Sequence, residues 1–342
     1  MRSGTIPSDL RPALTEALTR ASDTPRFAGR AATVLGLGHR LPDRVVPNGP
    51  IARRIGVDDE WIVRRTGVRT RRHVEPGDQL SDLAAAAGRH ALTDAGVDPL
   101  DVDMVLVATM SPDAICPNTA PLVADALGAH RAGAIDVGAA CTGWLSGLAL
   151  ASGLVETGRA DTVLLIGADI LSRLTNYDDR RTAALFGDGA GATVIGAGGE
   201  GTIGTIELRA DGSLGDAIVA THDSHYLQMD GTTTFKAATR VMSESTVSAV
   251  ARAGLELDDI DLFVYHQANS RILKAIGEKL DIPPQKIPDY VGETANTSAA
   301  SIPLVLSLAR ADGRLRPGMK VLVAAVGGGF TWGAGLIDWE LP

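Results

Sequence analysis

The chain has 342 residues, with 32 Lys and Arg against 41 Asp and Glu, a formal charge of −9. That balance argues against non-specific nucleic-acid binding as the main activity, because such binding needs positive surface to displace counterions from phosphates. Hydrophobic residues make up 45% and charged residues 21%, values of a folded protein with a sizeable core. With 39 Gly but only five Phe, four Tyr and four Trp, that core must be built from Ala, Val, Leu and Ile. Such a filling suits closely packed helix and sheet layers rather than an aromatic-anchored β-sandwich. No stretch approaches the roughly 18 uninterrupted apolar residues of a membrane span. Cys116 and Cys141 cannot form a disulfide framework and have no metal-ligand spacing around them, so a reducing cytoplasm is the expected setting and no metal is expected.

Residues 1–29 carry Arg, Asp and Glu throughout and no apolar run, which argues against a secretory signal. Within them Leu10, Ala13, Leu14, Ala17, Leu18 and Ala21 recur at helical spacing behind Ser8 as N-cap. The spacing predicts a short amphipathic helix that docks on the body or on a partner, with a disordered leader as the alternative.

From Arg30 onward, short β-rich runs such as Met104–Ala108 and Val163–Ile166 alternate with Ala/Leu/Gly helices, an α/β pattern with mixed sheets. Residues 91–111 realign without gaps on 249–269, 158 positions later, with Ala91/Ala249, Ala95/Ala253, Gly96/Gly254, Asp101/Asp259 and Asp103/Asp261 identical. The same offset sets Val163-Leu164-Leu165 on Val321-Leu322-Val323, and the helix after Cys141 on the stretch after Ala299. A third match, of the run from Phe186 with the run from Phe330, has an offset of 144, which locates an insertion around Ser172–Leu185. Three matches in order predict two copies of one unit, 30–200 and 201–342, joined at the loop Gly198–Gly201.

Several residues could carry chemistry. Cys141 stands where a short buried strand ends and a long helix begins, so unpaired N–H groups and the positive end of the helix dipole should favour its thiolate. A small buried cysteine is the bland alternative, weakened by Gly138, Ala139, Ala140 and Gly143, which leave room for a carbonyl to approach. His266 follows a buried strand and matches Ala108 in the first copy, a strand end of the kind that presents functional side chains. Asn296 precedes the helix that matches the Cys141 helix, and Asn296-Thr297-Ser298 also reads as an N-cap cluster. The run Gly327-Gly328-Gly329 is either a tight turn or a place where backbone N–H groups meet an oxyanion. His222 and His225 lack helical flanks and are read as a polar loop, not a metal site.

Together, ACTG around Cys141, HQAN at 266–269, ANTSAAS at 295–301, FGDGAGA at 186–192, DEWIVRRTG at 59–67 and GGGFTWGA at 327–334 resemble the β-ketoacyl-acyl-carrier-protein synthase III family of the thiolase superfamily. The resemblance runs from about Arg30 to the C-terminus and implies a thiolase-like fold, a duplicated five-layered α-β-α-β-α unit normally paired as a homodimer. It also implies a condensing acyltransferase that needs no cofactor beyond its CoA thioester substrate. Cys141 would accept the acyl group from acyl-CoA, with His266 and Asn296 completing the triad. A malonyl thioester on acyl carrier protein would then lose carbon dioxide and attack the acyl-Cys141, with the oxyanion held by the N–H groups of Cys141 and Gly328.

By the same resemblance Trp61 and Arg65 contact the CoA nucleotide, while Arg180, Asn269 and Arg271 line its path. Cys116, Trp144 and Met229 fall at the acyl pocket, where a smaller Cys116 would admit a bulkier group and Trp144 could block another direction. Lys236, Arg240, Arg271, Lys274 and Lys279 lie in two predicted helices and are expected to form a docking patch for an acidic carrier protein. The altered pocket and the leader tilt the pathway from fatty-acid initiation toward polyketide or secondary-metabolite initiation. Acyl transfer to an oxygen or nitrogen nucleophile without decarboxylation is the alternative, disfavoured by Asn296; a non-catalytic partner subunit is disfavoured by Cys141.

Overall fold

The computed structural model describes residues 7–21 and 30–342, and of residues 17–21 the backbone alone. After a 3-10 turn at Ser8–Leu10 and helix α1 (Arg11–Ala21), the first half begins with β1 (Ala32–Arg40), β2 (Arg44–Pro47), α2 (Asn48–Arg54), α3 (Asp59–Thr66), β3 (Thr70–His73) and α4 (Leu80–Ala95). It continues through β4 (Met104–Ala108), α5 (Thr119–Leu127), β5 (Gly133–Val137), α6 (Gly143–Glu156), β6 (Thr162–Ile170) and β7 (Asp188–Ala197). The second half opens with β8 (Thr202–Ile203), β9 (Glu207–Ala210), the hairpin of β10 (Ile218–Val219) and β11 (Gln228–Met229), and α7 (Gly231–Arg252). It ends with β12 (Leu262–Tyr265), α8 (Ser270–Leu280), α9 (Val291–Thr294), α10 (Ser301–Ala311), β13 (Met319–Gly327) and β14 (Thr331–Trp339).

Five strands join in the order β1-β7-β6-β4-β5, and a second sheet runs β12-β13-β14-β8 with β9 also paired to β14. Parallel pairs (β4 with β5 and β6, β12 with β13) sit beside antiparallel ones, so both sheets are mixed. The apolar runs of β4 and β12 are explained by burial on both faces. Because side chains alternate along a strand, Val105 and Val107 face α4 and α5, while Leu106 and Ala108 face the centre. There α6 and α10 lie between the two sheets, with Leu145, Leu148, Ile302 and Val305 packed on Val163, Leu165, Val264 and Val323. α7 and α8 cover the far face of the second sheet through Val241, Ile276, Phe263 and Leu322. The layers therefore run helix, sheet, helix, sheet, helix, which is the thiolase arrangement.

The 3-10 turns Ala140–Thr142 and Ser298–Ala300, and α6 and α10 behind them, start 158 positions apart, as do β4 and β12. Between β6 and β7 stand residues 171–187, where β13 and β14 are joined by the short turn 328–330. The chain passes from one sheet to the other between β7 and β8.

The N-terminal segment lies along α7. Leu10 is fully buried in the cluster that contains Ala238, Val241 and Met242, and Leu14 packs against it. Asp9 pairs with Lys279 of α8 at 2.6 Å, and Glu16 with Arg209 of β9 at 3.1 Å. Ser8 does not cap α1; it opens the preceding turn, in which Leu10 N–H donates to the Pro7 carbonyl at 2.9 Å. The side chains of Ala17, Leu18 and Ala21 lie outside the described residues. Because Leu10 is the segment's one fully buried anchor among the described side chains, Leu10→Ala should remove about 2 kcal/mol or more of docking free energy. Local opening then increases at least tenfold, seen as faster amide hydrogen exchange along α1, while the melting temperature of the body stays unchanged.

Candidate active site

β5 delivers the chain into the turn that carries Cys141 at the head of α6. Ala140 adopts φ 45°, and Ala295 and Ser298 adopt φ 57° and 52°, left-handed conformations that non-glycine residues rarely hold without a local purpose. Thr142 Oγ1 shares a hydrogen bond with Thr331 Oγ1 at 2.8 Å, tying the nucleophile turn to the first residue of β14. Gly327 ends β13 so close to this turn that a Cβ on it would stand 2.9 Å from the Cys141 nitrogen and 3.2 Å from its Cβ. The glycine is required there because backbone must approach backbone.

His266 follows β12 directly, its N–H bonded to the Ala324 carbonyl of β13 at 2.9 Å. The ring is buried, and its Nδ1 meets Ser301 Oγ, at the start of α10, at 2.6 Å. Asn296 is held by its backbone to the end of the 171–187 segment: its N–H donates to the Leu185 carbonyl, and its own carbonyl accepts from Gly187 N–H, both at 3.0 Å. Its Oδ1 accepts from Ser298 N–H at 2.8 Å, which fixes the amide and leaves Nδ2 as the donor end.

Cys141, His266, Asn296 and Gly328 line one cavity of about 1270 Å³. Its mouth carries Trp61, Arg65, Arg180, Lys236, Asn269 and Arg271. The guanidinium groups of Arg65 and Arg180 sit over the Trp61 ring, 5.0 and 4.7 Å from its centroid. Asn269 also holds two elements together, for Oδ1 caps α8 at Arg271 N–H (2.9 Å) and Nδ2 reaches the Arg65 carbonyl of α3 (3.1 Å). Part of the cavity is apolar, walled by the clustered side chains of Met110, Leu171, Leu185, Phe186, Leu227 and Met229. Apart from Met229, this wall escapes the sequence reading, because its residues come from irregular segments with no periodicity to mark an inward face.

Two expected pocket residues stand elsewhere. Trp144 points from α6 into the central core, 1% exposed, and does not line the cavity. Cys116 is exposed beside Ile115, on a loop whose Asp113 is anchored to the Leu80 and Ser81 N–H groups of α4; it does not line this chain's cavity. The expected basic patch is also altered. Lys236 and Arg271 stand at the mouth, but Arg240 pairs with Glu244, Lys274 with Glu278 and Lys279 with Asp9, so three of the five cations are matched by carboxylates.

The thiolate expected from the helix dipole is not the resting form. Cys141 is open only to the cavity, and desolvation pushes its thiol up to about 11, opposed by a hydrogen bond from Ser298 and reinforced by the charge of Asp169. Desolvation likewise holds His266 down at about 4. Around neutral pH the floor of the cavity therefore presents an uncharged thiol, an uncharged imidazole and a carboxamide. Among the described residues no group of three or more His, Cys, Asp or Glu could hold a metal ion, and no helix is long and apolar enough to cross a membrane.

This fold and this site define a thiolase-fold condensing enzyme. The sequence model of 3-oxoacyl-[acyl-carrier-protein] synthase III matches residues 135–212, and that of the family's C-terminal part matches 250–339. The chain is 45% identical over 316 residues to β-ketoacyl-[acyl-carrier-protein] synthase III 2 of Streptomyces coelicolor, covering 91% of this chain and 95% of that one. The crystal structure of the Aquifex aeolicus 3-oxoacyl-[acyl-carrier-protein] synthase III superposes with a TM-score of 0.88 at 37% identity, covering 90% of this chain and 100% of that one. A priming β-ketosynthase of a polyketide biosynthetic pathway gives 0.87 at 33%, covering 93% and 99%. The chain belongs to the β-ketoacyl-[acyl-carrier-protein] synthase III family, the condensing enzymes of fatty-acid or polyketide initiation.

The neutral imidazole has a consequence for stability. Between pH 6.5 and about 4 the unfolded chain binds a proton at His266 that the folded chain excludes, so this group's contribution to stability falls as the pH drops through that window. The slope is at most about 1.4 kcal/mol per pH unit. Urea unfolding of wild type and His266→Gln at pH 7 and pH 4.5 should show a smaller loss in the variant.

Proposed function

We propose that the protein transfers an acyl group from acyl-CoA to Cys141 and then condenses it with a malonyl group on acyl carrier protein, with loss of carbon dioxide. In the first half-reaction the Cys141 sulfur displaces CoA, and the thiol proton leaves with the CoA thiol. The cationic mouth around Trp61 suits the CoA phosphates and base, and the apolar wall suits the acyl chain. In the second half-reaction malonyl decarboxylation places charge on the thioester oxygen. Ser301 Oγ accepts from Gln267 N–H and meets His266 Nδ1; with the Ser301 proton given to Nδ1, the imidazole carries its own on Nε2. Nε2–H of His266 and Nδ2–H of Asn296 then stabilise the enolate, and the carbanion attacks the acyl-Cys141 carbonyl. The tetrahedral oxyanion is held by the N–H groups of Cys141 and Gly328.

The observation that carries this reading is the fixed Asn296 amide. With Oδ1 turned to Ser298 N–H, the amide presents Nδ2–H to the cavity, and a neutral donor is what an enolate needs. No cofactor beyond the CoA thioester is called for. Free cysteines suit the cytoplasm. A homodimer is supported by the unpaired edge of β5, where Ile135 is exposed, and by exposed Ile115 nearby. In such a pair Cys116 would address the partner rather than its own cavity. The remaining unmatched cations at the mouth, Lys236 and Arg271, suit the docking of an acidic carrier protein.

Asn296→Asp provides the test. Acylation of Cys141, read by intact mass, should stay within a few-fold of wild type, while carbon dioxide release from malonyl carrier protein drops by about 100-fold or more. Equal loss of both half-reactions would overturn the role given to Asn296. An acyl-enzyme in the wild type that releases no carbon dioxide would favour acyl transfer to another nucleophile.

A further inference from the structure

Asp169 ends the inward run of β6 and is fully buried. Its Oδ1 accepts from Met110 N–H (2.9 Å), Thr109 Oγ1 (3.0 Å) and Ser111 Oγ (2.9 Å). Both hydroxyls also accept a backbone N–H, Thr109 Oγ1 from Ser111 and Ser111 Oγ from Ile170, which leaves their protons available to the carboxylate. Oδ2 accepts from Ala299 N–H at 3.3 Å, and the neighbouring Ser298 hydroxyl reaches the Met110 sulfur at 3.7 Å. Among the described residues no Lys, Arg or His forms an ion pair with Asp169. The Met110 and Ala299 N–H groups can only donate and the Thr109 and Ser111 hydroxyls are placed to do so, a set that favours the anion, while burial pushes the carboxyl up. A buried carboxyl without a counter-charge costs folding free energy, which makes it a candidate functional position.

Its partners come from both halves of the chain. Residues 109–111 follow β4 in the first half; Ser298 and Ala299 belong to the second. Those two residues are the middle of a continuous stretch: Asn296 stands two positions before Ser298, and Ser301, which orients His266, stands two positions after Ala299. The stretch is seated tightly on β6, since a Cβ at Gly167 would come 2.2 Å from the Ala299 carbonyl oxygen. We propose that Asp169 is a positioning residue for the decarboxylating half-reaction, its carboxylate clamping the Ser298–Ala299 turn to the first half so that Asn296 and His266 converge on Cys141. This role rests on the condensing reaction proposed for the site. As an anion the same carboxylate raises the Cys141 thiol; among the described residues His266, at the end of β12, is a further titratable group lining the cavity with Cys141.

The test uses Asp169→Asn on the full chain and reads three quantities: acylation by acyl-CoA, carbon dioxide release from malonyl carrier protein, and the pH profile of Cys141 alkylation by iodoacetamide. The amide keeps the shape but removes the charge and turns one acceptor into a donor. Carbon dioxide release should fall 10- to 100-fold, acylation less than threefold, and the alkylation profile should move to lower pH by half a unit or more. Unchanged half-reactions with an unshifted profile overturn the proposal, as does equal loss of both half-reactions with an unshifted profile. If Asp169→Asn does not fold, Thr109→Val removes one donor to the carboxylate and should still lower carbon dioxide release more than acylation; equal effects overturn the proposal. A wild type that releases no carbon dioxide defeats the underlying condensing reaction. In that case the alkylation profile, which needs no substrate, decides whether Asp169 acts on the thiol.

Discussion

The contact between the turns Ala140–Thr142 and Ser298–Ala300 is the constraint on which the rest of the structure depends. Each turn heads a central helix, α6 or α10, and the two helices share one apolar layer between the two sheets. Because the turns are equivalent by duplication, they meet where the two copies meet. The first supplies Cys141; the second lies between Asn296 and the serine that orients His266. Neither half holds a complete site, so the central packing and the chemistry are one requirement rather than two.

Burial sets the electrostatics of that meeting point. A thiol, an imidazole and an amide are all neutral in a low-polarity floor, and the charge that the reaction creates is met by donors already in place. The arginines stand around Trp61 at the mouth, while the carboxyl of Asp169 is buried behind the nucleophile among hydrogen-bond donors. The separation keeps the cations of the mouth in the Trp61 cluster and away from the thiol. It also explains why the helix dipole does not set the resting state of Cys141, since desolvation acts on the thiol directly while the dipole is a partial charge.

Much of this was legible in the sequence, and for a physical reason. The duplication is written in the apolar strands and helix ends that build each layer, so Gly96 and Gly254, at the ends of matched helices, or Val163 and Val321, in matched strands, betray it. The residues around Cys141, His266 and Asn296 were legible because backbone geometry there tolerates few substitutes. What escaped depends on three-dimensional placement. Trp144 and Cys116 fall at the acyl pocket by the resemblance alone, which carries over a position in the chain but not the direction in which a side chain points. The apolar wall of Leu171, Leu185 and Leu227 comes from segments without period, and the pairing of Lys279 with Asp9 joins residues far apart in the chain. Asp169 reads as one more polar residue at a strand end until its donors are seen.

The central claim, that one thiol first takes an acyl group and then gives it up to a decarboxylating malonyl unit, is tested most directly by a two-stage single-turnover measurement on the wild-type protein. The enzyme is loaded with acyl-CoA, freed of excess donor, and mixed with malonyl carrier protein while the Cys141 adduct and carbon dioxide are followed together. The expected result is loss of the adduct matched one for one by carbon dioxide and by a 3-oxoacyl product on the carrier. An adduct that persists, or that leaves for another acceptor with no carbon dioxide released, would contradict it.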